Sequence, residues 1–270
     1  MGWSLDEIPW TRFDHTLVDP EIVPIVKAAA LVEYNGTAYA HHLCRVFADD
    51  PGFQASARRW GEDEIRHGQA LARWAELADP GFDFAAAFAR FRAGYRIDFG
   101  RDGSRRGSRT GEMVARCIVE TGTSAYYSAL RDAAREPVLR EICRRIAADE
   151  VRHYKLFYRT LGACLAVERI GLCRRLAVAL GRLAEASDDE LAYAYWAAND
   201  AGRPYDRRRC RDAYARRAFA AYRRPHVERG VRMIFKAVGL AANSLGARAA
   251  GRLAWLAMRC HAGRLARTAA

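Results

Sequence analysis

Two pentapeptides of this 270-residue chain carry the residues best suited to chemistry: Asp63-Glu64-Ile65-Arg66-His67 and, 86 positions later, Asp149-Glu150-Val151-Arg152-His153. Each contains a Glu-x-x-His pair. Residues three apart on a helix share a face, so Glu64 with His67, and Glu150 with His153, can ligate one ion together. Each pentapeptide also follows an apolar helix bearing a lone glutamate. Glu33, 31 residues before Glu64, sits in Leu31-Val32-Glu33-Tyr34, and Glu120, 30 before Glu150, closes Cys117-Ile118-Val119-Glu120. Four glutamates in one apolar core repel, and each desolvated charge costs several kcal/mol. Two divalent cations would balance them. One Glu from each of two helices plus a Glu-x-x-His from each of two others is the ligand set of two-metal carboxylate bundles, and its oxygen and imidazole donors suit iron or manganese.

A single such pair would carry little weight. With seven histidines and fifteen glutamates, chance supplies roughly 0.4 Glu-x-x-His pairs. Two pairs, each with Asp before and Arg within, and each trailing a glutamate at matched distance, exceed that expectation. Asp63 and Asp149 are expected to support the ligands, because metal-bound histidines donate their other N–H to a carboxylate or carbonyl. In a pseudo-symmetric pair of helices each Asp can hold the histidine of the opposite half, with Arg66 and Arg152 paired to the aspartates.

The elements that must position these residues are helical. Residues 1–20, aromatic and proline-containing, read as a strap across the body. Helical periodicity runs from Glu21 to about Asp49, from Phe53 to Leu77, and from Phe84 to Tyr95, with stops at Asp50-Pro51-Gly52 and Asp79-Pro80-Gly81. A polar, glycine-punctuated loop follows from Asp98 to Arg109. Helices are then predicted over Gly111 to Ala134 and, opening on a proline, Pro137 to Leu161. Ser187 with Glu190 forms a capping-box pattern for a helix through Ala198, and Arg- and Tyr-rich helical segments continue to the C-terminus with breaks near Gly239 and Gly246. The expectation is an all-α chain: a ferritin-like four-helix bundle over 21–165, and a C-terminal helical extension over 166–270 packed on it.

At these residues the sequence resembles the soluble acyl-carrier-protein desaturases and their ferritin-like relatives. Trp60-Gly61-Glu62-Asp63-Glu64-Ile65-Arg66-His67-Gly68-Gln69-Ala70-Leu71 is similar to that family's second-helix motif, and Ile146-Ala147-Ala148-Asp149-Glu150-Val151-Arg152-His153 to its fourth. Glu120 with Thr123 resembles the third-helix ligand and the threonine beside it that is implicated in oxygen activation. The Asp-Glu-x-Arg-His form also resembles multicomponent bacterial monooxygenases. The likeness covers roughly residues 20–165; the first helix matches only at its ligand, and nothing after 165 has a counterpart. It implies a metal set of Glu33, Glu64, His67, Glu120, Glu150 and His153 around two iron ions, with manganese or a mixed pair as alternatives. It further implies oxygen activation, Thr123 as a proton relay, and oxidation of a C–H bond in a fatty acyl or lipid-like substrate. The chain bears no flavin or nicotinamide fingerprint, so electrons are expected from a ferredoxin or reductase.

Seven scattered cysteines without a CxxC pair, and a start lacking a secretory pattern, predict a cytoplasmic protein. The missing CxxC weighs against a rubrerythrin- or ferritin-like role in peroxide or iron handling. The formal charge of +12 reflects an arginine-rich composition or an acidic partner, whether a carrier protein, an anionic membrane surface or, as in a tRNA hydroxylase, nucleic acid. Lys236 to Arg267 interleaves leucines with Arg248, Arg252, Arg259, Arg264 and Arg267. That pattern reads as a solvated outer helix, or as one lying on the inner membrane surface or gripping an acidic carrier. His41, eight residues after Glu33, reads as a core or rim residue or as an extra ligand. A homodimer is compatible with all of these readings.

Overall fold

The computed structural model describes residues 2–95, 103–185 and 189–269, and among them the chain is all-helical, without a strand. Three short 3-10 turns, Leu5–Glu7, Trp10–Arg12 and His15–Leu17, precede α1 (Val23–Tyr34), α2 (Gly36–Val46), α3 (Pro51–Ala78), α4 (Phe84–Gly94), α5 (Arg109–Ala133) and α6 (Pro137–Glu168). Then come α7 (Leu172–Glu185), α8 (Asp189–Asn199), α9 (Arg207–Ala221), α10 (Arg224–Val238) and α11 (Leu245–Ala269). Among the described residues no helix is long and apolar enough to cross a membrane.

Helix starts follow local chemistry. Asp50 caps α3 by accepting the Phe53 N–H at 2.8 Å, with Pro51 in the first turn, where its missing N–H costs nothing. Ser108 caps α5 through the Gly111 N–H. Glu136, 1% exposed, caps α6 by accepting the Val138 and Leu139 N–H groups, and its carboxylate also accepts the Trp74 indole N–H at 2.8 Å, tying α3 to the start of α6.

Three of the sequence expectations change. The single helix from Glu21 to Asp49 is two helices: at Asn35 (φ −80°, ψ 0°) the N–H turns back to the Val32 carbonyl, a tightened turn. The Asn35 side chain accepts from Arg92 at 2.8 Å and fixes the break. The fourth long helix runs past Leu161 to Glu168 and stops where Arg169 adopts a left-handed φ of 51°. Gly246 lies in the first turn of α11 and breaks nothing, whereas Gly239 (φ 88°) does end α10. Residues 172–185, inside the expected C-terminal helical extension, form α7. Ser187 and residues 98–102 of the expected loop lie outside the described residues.

The core divides into two apolar clusters, and every ligand-bearing rod crosses both. One contains Ile25 to Leu31, Ala70 to Ala78, Tyr126 to Ala134 and Val138 to Ala147; the other contains Ala40 to Phe47, Phe53 to Trp60, Met113 to Ile118 and Tyr154 to Cys164. The turns between them hold Glu33, Glu64, His67, Glu120, Glu150 and His153. Order along the chain also gives direction: α1–α2 and α6 run from the first cluster to the second, α3 and α5 the other way. The α3–α5 connection, which includes α4, must therefore return along the body.

Close approach of α1–α2 to α3 rests on glycine. A Cβ at Gly68 would sit 2.6 Å from the Tyr34 backbone nitrogen and 2.8 Å from its Cα, and one at Gly36 would sit 2.4 Å from the Glu64 Cβ. Backbone cannot retreat cheaply, so Gly68→Ala is expected to destabilise by about 1–3 kcal/mol despite alanine's better helix propensity. Gly162→Ala in α6, with nothing within 4 Å of its Cβ, should stabilise by roughly 0.5–1 kcal/mol. Urea unfolding of the two variants checks the pair, which should move in opposite directions.

Candidate metal centre

The six sequence-predicted ligands converge. Glu33, Glu64, His67 and Glu150 offer ligand atoms that all lie within 4.8 Å of one another, as do Glu64, Glu120, Glu150 and His153. Glu64 and Glu150 belong to both groups. All six side chains are buried, from 0% exposed for His67 to 8% for Glu64. These buried Glu/His clusters can hold a metal ion.

The histidines show why. His67 Nε2 lies 3.1 Å from Asp149 Oδ2, and His153 Nε2 lies 3.1 Å from Asp63 Oδ2, so each aspartate holds the ring from the other half of the repeat. With the proton on Nε2, each Nδ1 lone pair faces carboxylates. His67 Nδ1 is 3.4 Å from both Glu33 and Glu150, and His153 Nδ1 is 3.2 Å from Glu64, 3.5 Å from Glu120 and 3.7 Å from Glu150. Acceptors facing acceptors in a buried pocket are unfavourable unless a proton or a metal ion lies among them. Glu64 Oε1, Glu120 Oε2, Glu150 Oε1 and His153 Nδ1 are buried without a hydrogen-bond partner, which is the donor set a cation would satisfy.

Proton affinities record the same crowding. Burial, with Glu150 and Glu33 nearby, holds Glu64 well above the usual carboxylate range, and burial with Glu150 raises Glu120 to about 8. Burial works against a charged His67 and His153, but the hydrogen bonds of Asp149 and Asp63 and the facing glutamates outweigh it and raise both. Glu150 goes the other way: burial raises it, and the two histidines more than reverse that. Asp63 is lowered to about 2 against its own burial, by His153 and Arg66.

Around the cluster, Arg66 pairs with Asp63, and Arg152 pairs with Asp149 and lies 3.6 Å from Asp63. The Thr123 hydroxyl donates to Glu150 Oε2. Tyr127, seven positions after Glu120 and so near its face, donates to Glu33 Oε1 at 2.7 Å. Trp3 was invisible to spacing arguments. Its indole N–H donates to Asp149 Oδ2 at 2.9 Å, and its ring stacks on His67 at 6.1 Å under the Arg66 and Arg145 guanidinium groups. Trp60 meets His153 edge-on at 6.5 Å.

His41 is not part of this site. The break at Asn35 resets the helical phase, so His41 is exposed while His42 is buried, 3.5 Å from Glu112. Glu112 is lowered to about 2, its burial being outweighed by His42, Ser104 and the Arg106 N–H.

No protein-family model matches the chain, and no curated protein matches it.

The proton affinities fix a pH dependence. In the metal-free fold Glu120 (about 8), Glu64 and both histidines bind protons more tightly than in the unfolded chain, so the native state holds the extra protons. Metal-free protein should therefore lose stability as pH rises from about 4.5 to 8. Metal must displace those protons, so affinity should rise across the same interval. Thermal unfolding with and without metal at pH 5.5 and 8 checks both; a metal-free protein that gains stability toward pH 8 contradicts the account.

Proposed function

We propose that α1–α2, α3, α5 and α6 form a ferritin-like four-helix bundle holding two iron ions, and that the protein is an oxygen-activating oxidoreductase acting on a C–H bond of a fatty acyl or lipid-like substrate. One observation carries the reading: two Glu/His groups interlock through Glu64 and Glu150, each with a histidine Nδ1 aimed inward. Four buried glutamates and two neutral histidines match the charge of two divalent cations. The helix directions support it as well, since one long return between the second and third bundle helices is the ferritin-like connection.

Glu33 and His67 would hold one ion, Glu120 and His153 the other, with Glu64 and Glu150 available to both; manganese fits the same donors. When bound, the metals supply the reduction of dioxygen and the oxidation of the C–H bond. The chain supplies the rest. Asp63 and Asp149 keep the Nε2 protons in place and leave each Nδ1 free to ligate. Thr123, donating to Glu150, can hold or pass a proton at Oγ1 beside the site. Trp3 and Trp60 roof the two histidines and keep water off them. Electrons come from a separate ferredoxin or reductase.

A second reading, peroxide or iron handling, is favoured by the tightness of the site. None of the six ligands lines either of two arginine-rich cavities, one bounded by Arg224 and Arg252, the other by Tyr39 and Arg116. Small substrates need no wide approach.

Metal analysis should find about two ions per chain in the native protein, and one or fewer after Glu64→Ala or His153→Ala. Rapid mixing of the ferrous protein with oxygen should oxidise the iron. Thr123→Val should retain metal but slow product formation by about 100-fold. Electron-dependent oxidation of an added acyl chain, followed by mass spectrometry, supports the first reading; peroxide consumption without it selects the second. Trace metal unaffected by either ligand variant sinks both. Trp3→Phe, which removes the hydrogen bond to Asp149, should weaken metal affinity by roughly 10–100-fold, measurable by competition with a chelator.

A further inference from the structure

The outermost helix, α11, is built unlike the others. Its 25 residues include five arginines and no acidic residue. It lies on α10 and α9 through a thin seam of Ala247, Gly251 and Leu265, and a Cβ at Gly251 would meet Glu228 of α10 at 3.1 Å. Three of its six large apolar residues, all leucines, point the other way. Leu245 is 81% exposed, Leu253 66% and Leu256 57%, and with Ala249 and Cys260 they recur at helical spacing on the outward face. Arg248, Arg252 and Arg259 flank that stripe on one side and Arg264 on the other.

The same arginines meet α10. Arg224, Glu228 and Arg232 stand one turn apart on α10, opposite Arg248 and Arg252, and together they border a cavity of about 180 Å³. Glu228 is paired with Arg224 at 2.6 Å. Arg232, Arg248 and Arg252 have no carboxylate partner among the described residues. Three arginines without an ion-pair partner border this cavity, against one carboxylate already paired with Arg224, and the excess of guanidinium groups favours a phosphate, whose oxygens match their planar donor fork. Water-sized volumes are ~30 Å³ each, so a phosphate group fits with solvent to spare.

We infer that the α10–α11 edge is a docking surface for an anionic phospholipid bilayer, with a lipid phosphate in the arginine cavity and Leu253 and Leu256 in the acyl boundary. Charge complementarity and the outward leucines select this occupant together. A free phosphate ester or a nucleic acid would use the arginines and leave the leucine stripe in water, whereas a bilayer takes both. Trp255, partly exposed on α11 with the Arg259 guanidinium 5.7 Å from its ring, adds an interfacial aromatic residue.

Flotation of the full chain with phosphatidylcholine vesicles, with and without phosphatidylglycerol, tests the surface. Binding should require the anionic lipid and weaken with salt. Arg248→Gln/Arg252→Gln should lower vesicle affinity by about 30-fold, near fivefold for each cation lost. Arg58→Gln/Arg59→Gln, an equal change of charge on exposed α3 residues, should leave affinity within about threefold. Leu253→Ser/Leu256→Ser should weaken binding by about tenfold and keep the lipid preference. Four results would overturn the inference: no flotation with anionic vesicles; equal loss from the α3 control; leucine variants that bind like the native chain; or calorimetric binding of inorganic phosphate or duplex RNA without vesicle binding. The surface does not depend on the metal reading, because metal-free and metal-loaded protein should float alike.

Discussion

Like charges buried together set the terms for the rest of this molecule. Four glutamates occupy one turn of each helical rod, and apolar clusters above and below deny them water. At an effective dielectric near 20, two carboxylates about 4 Å apart repel by about 4 kcal/mol before desolvation is counted. Only cations or protons in their midst make the arrangement tolerable. The neighbouring groups are consistent with that demand: both histidines turn Nδ1 inward, both aspartates anchor Nε2, and among the described residues no lysine or arginine forms an ion pair with the four glutamates.

Holding such a cluster requires a rigid frame. The aspartate of each half reaches the histidine of the other, so the two helix pairs cannot slide without breaking both hydrogen bonds. Glycines let α1–α2 approach α3 until backbone touches backbone, and the capping carboxylate of Glu136 joins α6 to Trp74 of α3. The N-terminal segment contributes directly, because Trp3 closes the cluster over His67 and holds Asp149. The N-terminal segment supplies the aromatic ring over His67, and α3 and α6 supply the guanidinium groups of Arg66 and Arg145 above it.

What could be read from the sequence was what repeats or punctuates. Asp-Glu-x-Arg-His stands out because two copies with matched glutamates defy chance, and proline and glycine mark the long helices to within a few residues except at the end of α6, which runs past Leu161 to Glu168. Features depending on tertiary contact stayed hidden. Val32 to Thr37 is helical by pattern, and the break at Asn35 comes from a contact with Arg92, 57 residues away, and from the crowding of Gly36 on Glu64. That break moved the buried histidine from His41 to His42. Trp3 touches Asp149 across 146 residues, and no spacing rule reaches so far. α7 falls within the helical extension expected over 166–270, and only its bounds, Leu172–Glu185, were not read from the sequence.

The C-terminal helices link the surface to the site more closely than their place in the chain suggests. α10 packs along α5, where Gly230 approaches Thr121 at 3.5 Å, measured from the position of a Cβ, and Arg229 donates to the Ser124 carbonyl and to Ser128. Those α5 residues flank Glu120 and Thr123. On its other side α10 forms the arginine cavity with α11. One helix therefore separates the charged outer edge from the helix that carries a ligand. A polar guanidinium, half-buried and spending its donors on the α5 backbone and a serine, is a costly way to join two helices where leucine would serve. Its cost is repaid in register: Arg229 ties α10 to α5 at Ser124 and Ser128, one and two turns beyond Glu120.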